Sequence, residues 1–351
     1  CARGYCIVCI GFLNTSNNYT YFKWKKINIF NIIELKNKIL NGYSISKNEA
    51  LMLENADLQQ LCDSANQIRN HFCKNAFDLC SIINGKSGKC SENCKFCAQS
   101  SHYTTCSDEY PLLDNDNLLN YAYFCHENNI PRYSIVTSGK CLSDNEIDRI
   151  CSVISDIKNN FNLSICISGG LLNENQFLKL KNAGVTRIHN NIETSKNFFP
   201  NICTTHTYDD KIKTISYAKN AGLEVCSGGI IGMGESFQDR VDMAFQLKDL
   251  QINSIPLNVL NPIKGTPFEN IQKISYDDIC RCIAVFRFIL PAAFIRMAGG
   301  RGLLFDKGER CFLSGANAAI TGDMLTTSGI SIDEDRKILN KLGFKAGDFN
   351  V

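Results

Sequence analysis

The sequence carries almost no net charge: 37 Lys and Arg against 35 Asp and Glu leave +2 over 351 residues. No basic stripe breaks that balance, which excludes a nucleic-acid footprint. Long apolar runs are also missing. The longest, Cys6 to Leu13 (CIVCIGFL), is far short of the ~20 residues a membrane helix needs. Histidine is scarce, five in all, with no spaced pair typical of zinc hydrolases. Nothing suggests Ser-His-Asp or Cys-His nucleophilic catalysis. The opening CARGYC shows no convincing export signal, and the chain shows no second domain, repeat array or low-complexity linker. Residues 1–35 are expected to form an extension outside the main fold, 36–345 one domain, and 346–351 a tail.

Cysteine is what the sequence has in excess: 19, an odd number. In a large chain without an export signal this is not a disulfide framework. Cys280 and Cys282, inside ICRCIAVFRFIL, are expected as small buried apolar side chains. So many thiols fit a reducing, anaerobic cytoplasm. Cys1, Cys6 and Cys9 are assigned no role.

Ser46-Lys-Asn-Glu49 is a capping-box pattern, expected to open a helix running towards His71, and Ser143-Asp-Asn-Glu146 is another. Beyond them, β-rich runs fall at 78–83, 132–138, 163–168, 185–191, 223–229, 254–260, 293–298 and 316–322. Stretches with a period near 3.6 separate them, as at Asn173 to Asn182, Tyr208 to Asn220 and Phe237 to Leu250. Two of these stretches end in Asn-Ala-Gly, where glycine takes the left-handed turn that stops a helix. Eight strands alternating with helices predict an α/β fold, a parallel (β/α)8 TIM-type barrel. A doubly wound open sheet is the competing architecture.

In such a barrel the chemistry sits at the C-terminal ends of the strands. GKCSENCKFCAQSSHYTT (88–105) follows the first strand and spaces Cys90, Cys94 and Cys97 as CxxxCxxC. Three thiolates can hold three corners of a [4Fe–4S] cluster and leave one iron open to a chelating ligand. Structural zinc is the alternative, with His102 or Cys106 as the fourth ligand.

CxxxCxxC, with Phe96 before its last cysteine, resembles the radical S-adenosylmethionine superfamily. The resemblance implies that the open iron binds S-adenosylmethionine and that its cleavage yields a 5′-deoxyadenosyl radical. CKFCAQSSHYTT, HNNIETSKNFFPNICTTHTYDD, VCSGGIIGMGES, LNVLNPIKGTP, FIRMAGGR and GANAAITGDMLTT, spread from about residue 76 to 343, resemble the biotin synthase family within it. That family inserts sulfur into dethiobiotin to make biotin, and the sulfur comes from an auxiliary iron–sulfur cluster, [2Fe–2S] or a variant. The resemblance further implies a flavodoxin- or ferredoxin-type electron donor, iron–sulfur assembly machinery as a partner, and a cytoplasmic homodimer.

Carried over by position, Asn191 and Glu193 match the residues that bond the nucleoside ribose, with Glu193 where the family often has Asp. Ile230, Gly232 and Glu235 lie in the adenine-side run GIIGMGE. Asn258, together with Asn191, matches a contact to the substrate ureido group, although a buried Asn bonding backbone fits nearly as well. Cys166, Cys226 and Arg296 match three of four auxiliary-cluster positions; the fourth is Ser134. Inward side chains of alternate strands share a layer, and those three residues lie on odd strands. Strand one is the remaining odd strand and carries Cys80. Cys80 is therefore expected to replace the missing ligand, with Arg296 ligating or hydrogen-bonding a sulfide; Cys203 and Cys311 are weaker rivals. The enzyme alternatives are a hydrogenase maturase-like or methylornithine synthase-like radical barrel. A non-catalytic electron-transfer or zinc-binding protein is the alternative of another class.

Overall fold

The computed structural model describes residues 5–11, 22–28, 31–325, 329–347 and 349. Eight strands form its centre: β1 (Ala76–Lys86), β2 (Arg132–Thr137), β3 (Ser164–Ser168) and β4 (Arg187–His189), then β5 (Glu224–Cys226), β6 (Ser254–Val259), β7 (Phe294–Met297) and β8 (Ala318–Thr321). Every strand pairs in parallel with the next. The return pairing of β8 with β1, through Ile320 opposite Cys80, closes the sheet on itself. The expected (β/α)8 barrel is therefore what forms, and the open sheet is excluded. A short continuation of β5, Gly229–Ile231, stays paired to β6.

These strands are buried on both faces, outward against helices and inward against one another, which is why they read as nearly continuous apolar runs. Ile135, Ile165, Ile255 and Ile295 are fully buried on them. The helices start where local chemistry starts them. Ser143 and Glu146 form a reciprocal capping box on Asp144–Asn160, and Gly184 (φ 110°) closes Glu174–Ala183 in the left-handed region. The helix expected from Ser46 to His71 is instead two. Lys47–Met52 runs into a tight turn at Leu53–Asn55, and the Asp57 carboxylate then accepts from the Gln60 N–H to begin Leu58–Cys73 afresh. A second N-cap inside the run breaks what periodicity alone would have joined.

Tyr5–Gly11 and Phe22–Asn28 pair antiparallel as a separate two-stranded sheet. At the other end of the chain, Lys345–Gly347 adds in parallel to the start of β1. Cys1 lies outside the described residues, and so do Thr326 and Thr327, the end of GANAAITGDMLTT. Cys6 and Cys9 are described in backbone only. Cys280 and Cys282 are buried, as expected. Among the described residues no helix is long and apolar enough to cross a membrane.

Candidate active site

The loop leaving β1 is shaped by its backbone. Gly88 sits at φ 75°, where a Cβ would meet Glu109 Cγ at 2.6 Å, so glycine is required there. Past it the chain folds back on itself. The Cys90 N–H donates to the Gln99 carbonyl (3.1 Å), the Ser101 N–H to the Cys90 carbonyl (2.8 Å), and the Cys97 N–H to the Cys94 carbonyl (3.0 Å). Tyr103 Oη donates to the Asn93 carbonyl at 2.6 Å. Cys90, Cys94 and Cys97 are all half-buried on this loop. Burial, with the charges of Cys90 and Glu193 nearby, pushes the Cys97 thiol up to about 11. Neither expected fourth zinc ligand is in place: His102 is exposed with Nε2 against the Ser91 carbonyl at 3.0 Å, and Cys106 is exposed.

Under this loop lies a cavity of about 280 Å³. Phe96, Asn191, Glu193, Ile230 and Asn258 line it, and so do Cys80, Cys166, Cys226 and Arg296. The residues assigned to the nucleoside and those assigned to the auxiliary cluster thus share one chamber. Glu193 holds an unusual backbone, φ 69°, between the strand end and Gly228-Gly229. Its N–H donates to the Gly228 carbonyl (3.1 Å), and its carbonyl accepts from Ile230 (2.9 Å). A Cβ on Gly229 would stand 2.2 Å from the Glu193 carbonyl oxygen, and one on Gly228 would stand 2.0 Å from that of Pro256. Strain of this kind collects where a side chain must be aimed. Asn191 Oδ1 accepts from the Gly228 N–H (3.1 Å), and its Nδ2 lies 3.4 Å from Glu193 Oε2. Glu235 does not face the chamber. Its carboxylate accepts from the N–H groups of Gly232 (2.8 Å) and Met233 (2.7 Å) and from Arg240 (2.7 Å), fixing the turn that presents Ile230. Asn258 borders the chamber with both amide atoms bonded to backbone, at Gly229 and Gly299.

Deeper in the barrel, Arg296 Nη1 donates to Cys80 Sγ at 3.2 Å, and Ser254 Oγ donates to Cys226 Sγ at 3.2 Å. Ser134 stands opposite Cys166 in the β2–β3 register and opposite Ile82 in β1. Burial and the charge of Cys226 push the Cys166 thiol up to about 12. Burial pushes Cys226 the same way, but His189, Arg296 and Arg187 outweigh it and hold that thiol at about 6. Cys80 is raised by burial against the pull of Arg296. Below the thiols, Asp78 ion-pairs with Arg187 (2.9 Å) and Arg296 (2.7 Å). Arg296 Nε has no hydrogen-bond partner among the described residues. Three thiols with an arginine whose Nε is still unused suit a sulfur-rich anionic cluster.

The two rivals to Cys80 lie elsewhere. Cys203 sits beside Cys94, Sγ to Sγ 3.7 Å, and Cys311 packs against Tyr276 Oη outside the barrel lumen. Arg132, Arg187 and His189, which also line the chamber, were not picked out from the sequence. A period-two reading would have found them: Arg132 is in phase with Ser134, and Arg187 and His189 are in phase with Asn191 and Glu193.

Residues 86–247 match the Radical SAM superfamily, and residues 256–345 match the Biotin and Thiamin Synthesis associated domain. Barrel and cysteine loop thus define a radical S-adenosylmethionine protein. Solved structures of similar fold are methylornithine synthase (TM-score 0.76, 19% identity, 90% of this chain and 97% of that one) and a maturase of the [FeFe]-hydrogenase (TM-score 0.76, 17% identity, 90% and 75%). At that identity the likeness is one of fold. Sequence separates the families. A biotin synthase of Brachyspira hyodysenteriae is 58% identical over 312 residues, covering 89% of this chain and 94% of its own length. Biotin synthases of Clostridium botulinum strain Hall (52% over 315 residues, 90% and 99%) and Akkermansia muciniphila (51% over 311 residues, 89% and 97%) are similar throughout. The chain belongs to the biotin synthase family.

Proposed function

We propose that the chain is a sulfurtransferase that converts dethiobiotin to biotin. The observation that carries this is identity above one half, along nearly the whole chain, with relatives named biotin synthase. The shared chamber of Cys80, Cys166, Cys226 and Arg296 with Asn191 and Glu193 supports it. Cys90, Cys94 and Cys97 would hold a [4Fe–4S] cluster, which when bound supplies the electron that splits S-adenosylmethionine into methionine and a 5′-deoxyadenosyl radical. Cys166, Cys226 and Cys80, with Arg296 as ligand or hydrogen-bond donor, would hold the auxiliary cluster, [2Fe–2S] or a variant, as the sulfur source.

The chain's own residues do the positioning. The Glu193 carboxylate, fixed by its strained backbone, accepts from the ribose hydroxyls, and Asn191 borders both nucleoside and substrate. Ile230 lies against the adenine and Phe96 closes the chamber on the loop side. The Asn258 carboxamide, already anchored to backbone, faces the ureido group. Enclosure matters because a primary carbon radical attacks most C–H bonds it meets, so the target carbon must be held close and water kept out. A flavodoxin- or ferredoxin-type donor, iron–sulfur assembly machinery, a homodimeric state and a cytoplasmic location complete the proposal. So does a division into an extension (1–35), a barrel domain (36–345) and a tail (346–351). Anaerobic turnover with dethiobiotin, S-adenosylmethionine and a strong reductant tests it. Biotin and 5′-deoxyadenosine should form together; 5′-deoxyadenosine without biotin would point to another radical barrel enzyme, and neither to a binding protein.

A further inference from the structure

One cluster of ligand-type side chains stands apart from the chamber: Cys94, Cys203 and His206, whose ligand atoms all lie within 4.8 Å of one another. It joins two segments far apart in sequence. Asn93 ties them together, its N–H donating to Thr205 Oγ1 (3.1 Å) while its Oδ1 accepts from the backbone N–H groups of Thr204 (2.9 Å) and Thr205 (3.2 Å). Cys203 and His206 are buried and Cys94 is half-buried, so the group is shielded yet reachable.

The two shortest spacings are close to those of a tetrahedral site. Metal–sulfur bonds of ~2.3 Å and metal–nitrogen bonds of ~2.1 Å set ligand atoms roughly 3.8 Å (S to S) and 3.6 Å (S to N) apart. Here Cys94 Sγ is 3.7 Å from Cys203 Sγ, and Cys203 Sγ is 3.3 Å from His206 Nδ1. Glu92 Oε2 accepts from the same Nδ1 (2.6 Å) and from Thr205 Oγ1 (2.8 Å), so a cation bound at Nδ1 would displace that proton and leave the carboxylate beside it. Two thiolates would cancel the charge of a divalent ion, and a thiolate–imidazole set selects a thiophilic one.

We infer that Cys94, Cys203 and His206 form a site for a single thiophilic divalent cation, zinc or ferrous iron, filled when the CxxxCxxC loop carries no cluster. Because Cys94 belongs to both sites, the two occupancies exclude each other. Zinc held there blocks cluster assembly.

The test uses the cluster-free full chain under anaerobic conditions, titrated with Co²⁺. One equivalent should develop the intense visible bands of a tetrahedral thiolate site. Cys203→Ser and His206→Ala should weaken Co²⁺ binding by roughly tenfold or more, while Cys90→Ala and Cys97→Ala should leave it unchanged. Cys203→Ser nearly preserves volume, and its unaltered thermal melt separates lost ligation from misfolding. Zinc added before iron and sulfide should slow cluster assembly in the parent chain and not in Cys203→Ser. Co²⁺ affinity lost in Cys90→Ala and Cys97→Ala would place the ion on the cysteine triad, and affinity unchanged in Cys203→Ser would place it on the triad or on the chamber thiols; either result would overturn the inference. Absence of tetrahedral bands would also overturn it.

Discussion

Replacing Cys80 by alanine separates two roles that the same buried sulfur could play. As a packing residue it contributes little. Cys80 is 6% exposed, and its sulfur touches Arg296 Nη1 at 3.2 Å and the Ala319 carbonyl at 3.9 Å. Removing one buried atom of methylene size costs about 1 kcal/mol, cavity included. Arg296 keeps Asp78 Oδ2 (2.7 Å), the Asp78 carbonyl (3.1 Å) and the Ala319 carbonyl (2.9 Å), so the lost contact adds at most about another 1 kcal/mol. A chain of this size tolerates that, and Cys80→Ala should fold with a melting point only a few degrees lower. As a cluster ligand, by contrast, Cys80 is one of only three thiols lining the chamber among the described residues, and Ser134 offers only a hydroxyl. The expected result is loss of auxiliary-cluster absorbance and iron, with biotin formation at background, while S-adenosylmethionine cleavage by the CxxxCxxC site continues. Iron per chain, the visible spectrum, and biotin and 5′-deoxyadenosine in one anaerobic assay read all of this. A folded Cys80→Ala chain with full iron content and ordinary biotin yield would refute the reasoning and leave Cys80 a core thiol.

Glu193→Gln should raise KM for S-adenosylmethionine roughly tenfold or more, because hydrogen bonds from ribose hydroxyls to a charged acceptor are worth about 1.5–3 kcal/mol; steady-state cleavage assays would show it, and an unchanged KM would remove Glu193 from the ribose. Gly228→Ala forces a Cβ to 2.0 Å from the Pro256 carbonyl oxygen, and should cost about 3 kcal/mol in thermal or denaturant unfolding. Asp78→Asn leaves Arg187 and Arg296 buried without their shared carboxylate and should cost about 3–5 kcal/mol. Burial raises the Asp78 carboxyl, but Arg296 and Arg187 outweigh that and hold it below the usual carboxylate range. Its contribution is therefore present above pH ~4 and lost as pH falls through the depressed value. The parent chain should lose stability on acidification there, and Asp78→Asn should show a shallower dependence in the same window.

Much of this was legible because the barrel imposes regular rules. Each β-rich window contains or overlaps a barrel strand, and the cysteine loop lies after β1, where strand-end chemistry belongs. The approach of Cys203 to Cys94 was not legible because sequence distance hides which loops meet: Asn93 draws the two together across more than a hundred residues. The helix expected from Ser46 to His71 splits because the Asp57 carboxylate accepts from the Gln60 N–H and caps a new helix, a local choice that periodicity cannot see. Arg132, Arg187 and His189 were passed over for another reason. Charged residues in a strand suggest a solvent face, yet a closed parallel barrel has none inside. Such a charge must instead be paired, as Arg187 is to Asp78 and Glu224.

That pairing bears on the missing fourth thiol. Around the lumen Cys80 neighbours Arg132 in the β1–β2 register, and Ser134 is the next inward residue above Arg132. Position 80, the ligand in the proposed site, is therefore on the strand adjacent to position 134 and one layer down, beside Arg296. In an open sheet such an offset would carry a donor away from its partners. In a closed barrel both positions face one lumen, and Cys80 lines the same chamber as Cys166, Cys226 and Arg296. Desolvation is the main cost of forming a thiolate at that depth, and the guanidinium 3.2 Å from the Cys80 sulfur opposes it. A serine hydroxyl at 134 has no such need for a cation, so the proposed ligand at position 80 would have the guanidinium beside it that a thiolate at that depth needs.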